Sequence, residues 1–151
     1  MKTPATQDYV AFLAEQIYSS AELSMLVESI RQAVQEANRG AEDPFLDLPA
    51  KDQTVLSQLW LNHQSEYKNI QDFLHNLEII ISQIKLSTIY LSYRPDSDQT
   101  MEICQLLRSK LKATMFLKVE HRPQLTAGFM LEHLGKRYDY TLSKLTKLHG
   151  Q

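Results

Sequence analysis

The spacing of the apolar residues changes period near residue 86, and that change limits what the chain can fold into. Up to Lys85 the apolar positions recur at helical spacing. From Thr88 the run Thr88-Ile89-Tyr90-Leu91-Ser92-Tyr93 alternates and is rich in β-branched and aromatic residues, as a strand requires. The segment from Ser87 to Gln151 reads as strand, helix, strand, turn, strand, helix. The expected fold is α+β: an N-terminal helical bundle over residues 1–85, then a small mixed β-sheet domain over 86–151 in the order β-α-β-β-α.

Four helices are expected in the first part. The first starts near Thr6 or Gln7, with Tyr9, Phe12, Leu13, Gln16 and Ile17 on one face. Ser19 and Glu22 have capping-box spacing for the second, which stops at Asn38-Arg39-Gly40. Residues 40–50 carry two prolines and read as a connection. A third helix spans about Pro49 to Asn62, with Val55, Leu56 and Leu59 inward. A fourth spans about Ser65 to Lys85, where Tyr67, Ile70, Leu74, Leu77, Ile81 and Ile84 form a seam suited to packing on a neighbour.

In the second part, Asp96 or Ser97 can cap a helix that runs to about Lys112. Residues 114–120 form a second strand and Phe129 to Leu134 a third, joined by a turn at Arg122 to Gly128. Gly135-Lys136-Arg137 turns again, and a last helix starting near Asp139 carries Leu142, Leu145 and Leu148. Strands one and two flank a helix and should pair in parallel through a right-handed crossover. Strands two and three share a short loop and should pair antiparallel.

Charge divides at the same place as the period. Residues 1–84 hold 12 acids against 5 bases, a net −7, and residues 85–151 hold 6 against 11, a net +5. Two modules with different partners would explain this; a drift in surface charge is the plainer alternative. Cys104 is the sole cysteine, which excludes an intrachain disulfide and a cysteine-based zinc site. Its place among Ile103, Leu106, Leu107 and Leu111 predicts a buried small hydrophobe. No apolar run is long enough to span a membrane, and residues 1–6 lack a signal-peptide core. A bacterial cytoplasmic protein is the expectation.

Motifs of catalysis and cofactor binding are missing. There is no Walker loop, GxGxxG, HExxH, GxSxG or EF-hand loop, and four glycines are too few for a backbone phosphate cradle. The histidines (63, 75, 121, 133 and 149) have no ligand spacing and are expected on the surface; His121 and His133 should not meet. No carboxylate pair is placed for acid–base work. Neither a metal nor a cofactor is expected. Lys136, Arg137, Lys144 and Lys147, with Tyr138 and Tyr140 among them, allow a nucleic-acid-binding adaptor as the alternative function; a solvated basic face is the better explanation of the patch by itself.

The C-terminal segment resembles the delta subunit of F-type ATP synthases, the family that includes the mitochondrial oligomycin-sensitivity-conferring protein. That family has an Asp-Pro-x-Leu-x-Gly-Gly-like turn before a strand, then a glycine, an aspartate and a leucine-bearing final helix. Here Pro123, Leu125, Gly128, Gly135 and Asp139 match in order and spacing, while Arg122 and Ala127 replace the usual aspartate and first glycine. The family places about six helices before this domain; four are read here. The resemblance implies a non-catalytic peripheral-stalk (stator) subunit at the cytoplasmic face of a bacterial plasma membrane. It would grip alpha-subunit N-terminal helices with its helical domain and the C-terminal end of the b subunit with its mixed domain. No nucleic acid and no homo-oligomer are implied. On that basis Tyr9, Phe12, Leu13 and Ile17 are candidates for the head contact, and Lys144 and Lys147 for the stalk contact.

Overall fold

The structure, a computed structural model, describes residues 4–125 and 127–141. It divides into two compact units: residues up to 17 together with 21–84, and residues 18–20 together with 85 onward.

The first unit is helical: α1 (Pro4–Gln16), α2 (Ser20–Asn38), α3 (Ala50–His63) and α4 (Ile70–Ser82), with a 3₁₀ turn at Gln64–Glu66. On α2 the buried residues Leu23, Leu26, Ile30, Ala33 and Ala37 step by three and four, one stripe of an amphipathic helix. The helix stops where Gly40, at φ +87°, donates to the Ala37 carbonyl. Val55, Leu56 and Leu59 of α3 face inward as their spacing predicts, and Phe45 and Leu48 of the preceding connection are buried with them. The Ser29 hydroxyl donates to the buried Asp52 side chain at 2.6 Å, which gives a hydrogen-bond partner to a polar group carried into the interior from the first turn of α3.

α4 begins five residues later than its periodicity suggests. Asn69 caps it by accepting from Asp72 N at 2.9 Å, and Tyr67 is extended before that cap. Tyr67 is therefore not a seam residue. Its hydroxyl meets Tyr9 Oη at 2.7 Å and accepts from Asn76 Nδ2 at 2.7 Å. The buried stripe of α4 is Phe73, Leu74, Leu77, Ile80 and Ile81.

The second unit contains β1 (Ser87–Leu91), α5 (Ser97–Leu111), β2 (Leu117–His121), β3 (Phe129–His133) and β4 (Lys136–Asp139). α5 starts with a full capping box: Asp96 accepts from Gln99 N, and the Gln99 side chain accepts from Asp96 N. The sheet order is β2-β1-β3-β4, with β1 and β2 parallel. Two expectations are corrected here. β3 pairs antiparallel with β1, not with β2. β1 carries no charged residue and is buried along almost its whole length, so it takes the centre; β2, with Lys118 and Glu120, takes the flank. The seven residues between β2 and β3 are long enough to carry the chain past the end of β1. Second, Lys136 and Arg137 are not a turn. They open β4, which pairs with β3 through the two-residue turn Leu134-Gly135. The expected final helix lies outside the described residues.

α5 covers one sheet face, where Ile89, Leu91, Leu117 and Leu131 pack with Cys104, Leu107 and Met115. Cys104 is buried, as its surroundings predict. Tyr18–Ser20 extends the flank of β2: Ser19 bridges Leu117 in parallel, and Leu117 N donates to the Tyr18 carbonyl at 2.8 Å.

Candidate functional site

The segment from Arg122 to Thr141 has the most specific local geometry in the second unit. Leu125 N donates to the Arg122 carbonyl and closes the turn that holds Pro123. Pro123 is exposed and Leu125 half-buried. Gly128 follows at φ +104°, and a Cβ there would lie 2.1 Å from the Tyr140 carbonyl oxygen. Two strands of chain thus approach closely, and the approach is tied by Tyr140 N donating to the Phe129 carbonyl at 2.8 Å. Asp139 Oδ1 then accepts from Thr141 N at 3.0 Å and Thr141 Oγ1 at 2.7 Å, the bonding of an aspartate that starts a new turn. Gly135, at φ +80°, sits in the β3–β4 turn with open space where a Cβ would go.

The sheet face away from α5 carries a polar network. Tyr90 Oη donates to Glu132 Oε1 at 2.7 Å, and Arg137 Nη2 donates to Glu132 Oε2 at 2.8 Å. The Arg122 guanidinium lies 4.1 Å over the Tyr90 ring. The Arg137 bond, then the Tyr90 bond, hold the Glu132 carboxyl below the ordinary carboxylate range. The bond to Glu132, then burial, push the Tyr90 phenol up. A depressed carboxyl favours the charged form in the folded state. Its contribution is complete above the unfolded pKa and fades as pH falls through the folded one. We expect the Glu132 side-chain carbon to titrate, by NMR, below a glutamate in an unstructured peptide. Arg137→Gln should raise that midpoint, and Tyr90→Phe should raise it less. A wild-type midpoint at the peptide value would show that the network does not persist in solution.

Of the four head-contact candidates, Tyr9, Leu13 and Ile17 are each buried to within 1% of completely in the core of the first unit. Phe12 is half-buried and is the one of the four that presents surface. Lys144 and Lys147 lie outside the described residues. His133 is buried, against the surface position expected from its spacing, because its Nδ1 meets the buried Ser87 Oγ at 2.7 Å. A serine and histidine 46 positions apart leave no sequence signal for this pair. Both side chains are closed to solvent, so the arrangement holds the end of β1 to β3 and is out of reach of a substrate. Among the described residues no group of three His, Cys, Asp or Glu side chains is arranged to hold a metal ion. Among them, too, no helix is long and apolar enough to cross a membrane.

No protein-family model matches this sequence, and a search of curated proteins finds no significant match.

Proposed function

We propose that this chain is a non-catalytic peripheral-stalk subunit of a proton-translocating F-type ATP synthase, of the delta type, sited peripherally at the cytoplasmic face of a bacterial plasma membrane. Its work is mechanical: one lobe holds the catalytic head, the other holds the b-subunit stalk, and together they resist rotor torque. The observation that carries the reading is the close approach at Gly128. The residues matching the family pattern have backbone duties that few substitutes could perform. Gly128 has no room for a Cβ, Gly135 takes a positive φ, and Asp139 starts a turn through Thr141. A run of glycine and aspartate matched by accident would not be expected to meet three such demands.

Four of the nine described basic side chains of the second unit are engaged within it, which lowers the charge open to a nucleic-acid partner. Arg137 pairs with Glu132 and Lys118 with Glu120. Arg108 donates to the Met115 carbonyl, and Arg122 stacks on Tyr90. Phosphate binding would need these cations released.

The test is capture of the full chain by a peptide of the alpha-subunit N-terminus encoded in the same genome. Saturable binding, weakened by Phe12→Ala with the fold unchanged by circular dichroism, is expected. Absence of binding, together with salt-sensitive retention on single-stranded RNA, would replace the stator reading with the nucleic-acid one.

A further inference from the structure

Leu134 combines two unfavourable features. It stands at the first central position of the β3–β4 turn with φ +50°, followed by Gly135 at +80°, and this pair of positive angles is what a two-residue type I′ turn needs. Asn, Asp and Gly suit that position, and leucine does not. Leu134 is also 73% exposed, so its side chain gains nothing from the core of its own unit. An asparagine there would relax the backbone and hydrate the tip. Strain and exposure at one residue point outward, to something it touches.

The surroundings of Leu134 indicate what that is. It forms one wall of an open cleft of about 360 Å³, lined also by Leu86, Thr88, Glu132, Lys136 and Arg137. Leu86 is 41% exposed, so two leucines face the same opening. The exposed cation Lys136, in that lining, makes no ion pair among the described residues. Arg137 is already held by Glu132. Two apolar anchors with an unneutralised cation, Lys136, in the same lining complement an amphipathic helix whose apolar ridge is bordered by carboxylates. A bilayer surface is a poorer fit, since lipid-binding patches gather about four to eight basic residues.

We infer that Leu134 and Leu86 are the anchors of a docking site for an acidic amphipathic helix, with Lys136 receiving a carboxylate from it. The inference rests on the stator reading, which makes the C-terminal segment of the b-type stalk subunit the partner.

The test uses Leu134→Asn in the full chain, because that variant should not harm the fold. Its melting temperature should equal or exceed that of the wild type. Its affinity for a synthetic peptide of about 25 residues, long enough for a helix spanning the cleft, from the C-terminus of the co-encoded b-type subunit should fall roughly 30-fold, as expected for a central anchor. Lys136→Glu should weaken binding less, by an amount that shrinks as salt is added. If Leu134→Asn binds the peptide as the wild type does, the docking site is wrong and the stator reading stands. If the wild type does not bind the peptide at all, both fall. If the wild type co-sediments with phosphatidylglycerol vesicles and Leu134→Asn abolishes that without touching peptide affinity, the surface is a membrane contact and the inference is overturned.

Discussion

Gly128→Ala should destabilise the chain by about 3–5 kcal/mol, the sum of a positive-φ penalty and an overpacking penalty, while Gly135→Ala should cost only about 1 kcal/mol. Both glycines have positive φ, +104° and +80°. They differ in what lies beyond the missing side chain. At Gly135 a Cβ meets nothing within 4 Å. At Gly128 it would sit 2.1 Å from Tyr140 O and 2.9 Å from Thr141 Cα, both backbone atoms that no rotamer change can move aside. Relief would require parting residues 140 and 141 from β3. That would break the bond from Tyr140 N to the Phe129 carbonyl and the contact of the Phe129 and Tyr140 rings, whose centroids are 4.9 Å apart.

Urea denaturation of the two variants, followed by far-ultraviolet circular dichroism, measures the gap. A difference below about 1 kcal/mol, within the scatter of extrapolated values, would mean that the approach of residue 128 to residue 140 does not exist in solution. The comparison matters for function too. The proposal for the chain leans on Gly128 being irreplaceable for a local reason, and Gly135 is the internal control for backbone angle alone.

The features legible in the sequence were those with local causes. The N-terminal cap of α5 was legible to within one residue, at Asp96 or Ser97, and the stop of α2 in Gly40, because a cap or a C-terminal glycine acts within one turn. The switch from helix to sheet at residue 87 was legible because period follows from which side chains must be buried. Partner choice between strands was not. A short connection suggested that β2 and β3 are neighbours, whereas the uncharged β1 competed better for the central place. The β3–β4 turn was hidden because leucine at position 134 disguises a type I′ turn that asparagine would have announced. Periodicity also showed that Tyr9, Leu13 and Ile17 share a face but not what meets that face. Packing of α1 with α3 and α4 takes it. Ser87 and His133 meet only through the register of β1 and β3, which no spacing encodes.

Phe73→Ala should cost the helical unit about 3–5 kcal/mol, the usual range for emptying an aromatic site in a core. Phe73 is fully buried and stands among three rings, with centroid distances of 5.2 Å to Trp60, 5.6 Å to Tyr67 and 6.5 Å to Tyr9. Those neighbours cannot collapse freely into the vacated space, because Tyr9 and Tyr67 are tethered to each other through their hydroxyls and Tyr67 is held again by Asn76. A tethered wall leaves a larger residual cavity, and the cost rises with cavity volume. A unit of this size shifts its melting temperature by about 4–8 °C per kcal/mol, so a loss of more than about 12 °C is expected. Trp60 is the only tryptophan of the chain and touches the mutated site, so its emission reports this unit directly. Phe73→Leu, which keeps most of the volume, should cost about 1 kcal/mol or slightly more. If Phe73→Ala melts within about 4 °C of the wild type by Trp60 emission, a shift worth no more than about 1 kcal/mol, the aromatic cluster is not the centre of the core. In that event Tyr9, Leu13 and Ile17 regain standing as residues free to meet a partner helix, because the packing that now occupies them would be shown to be dispensable.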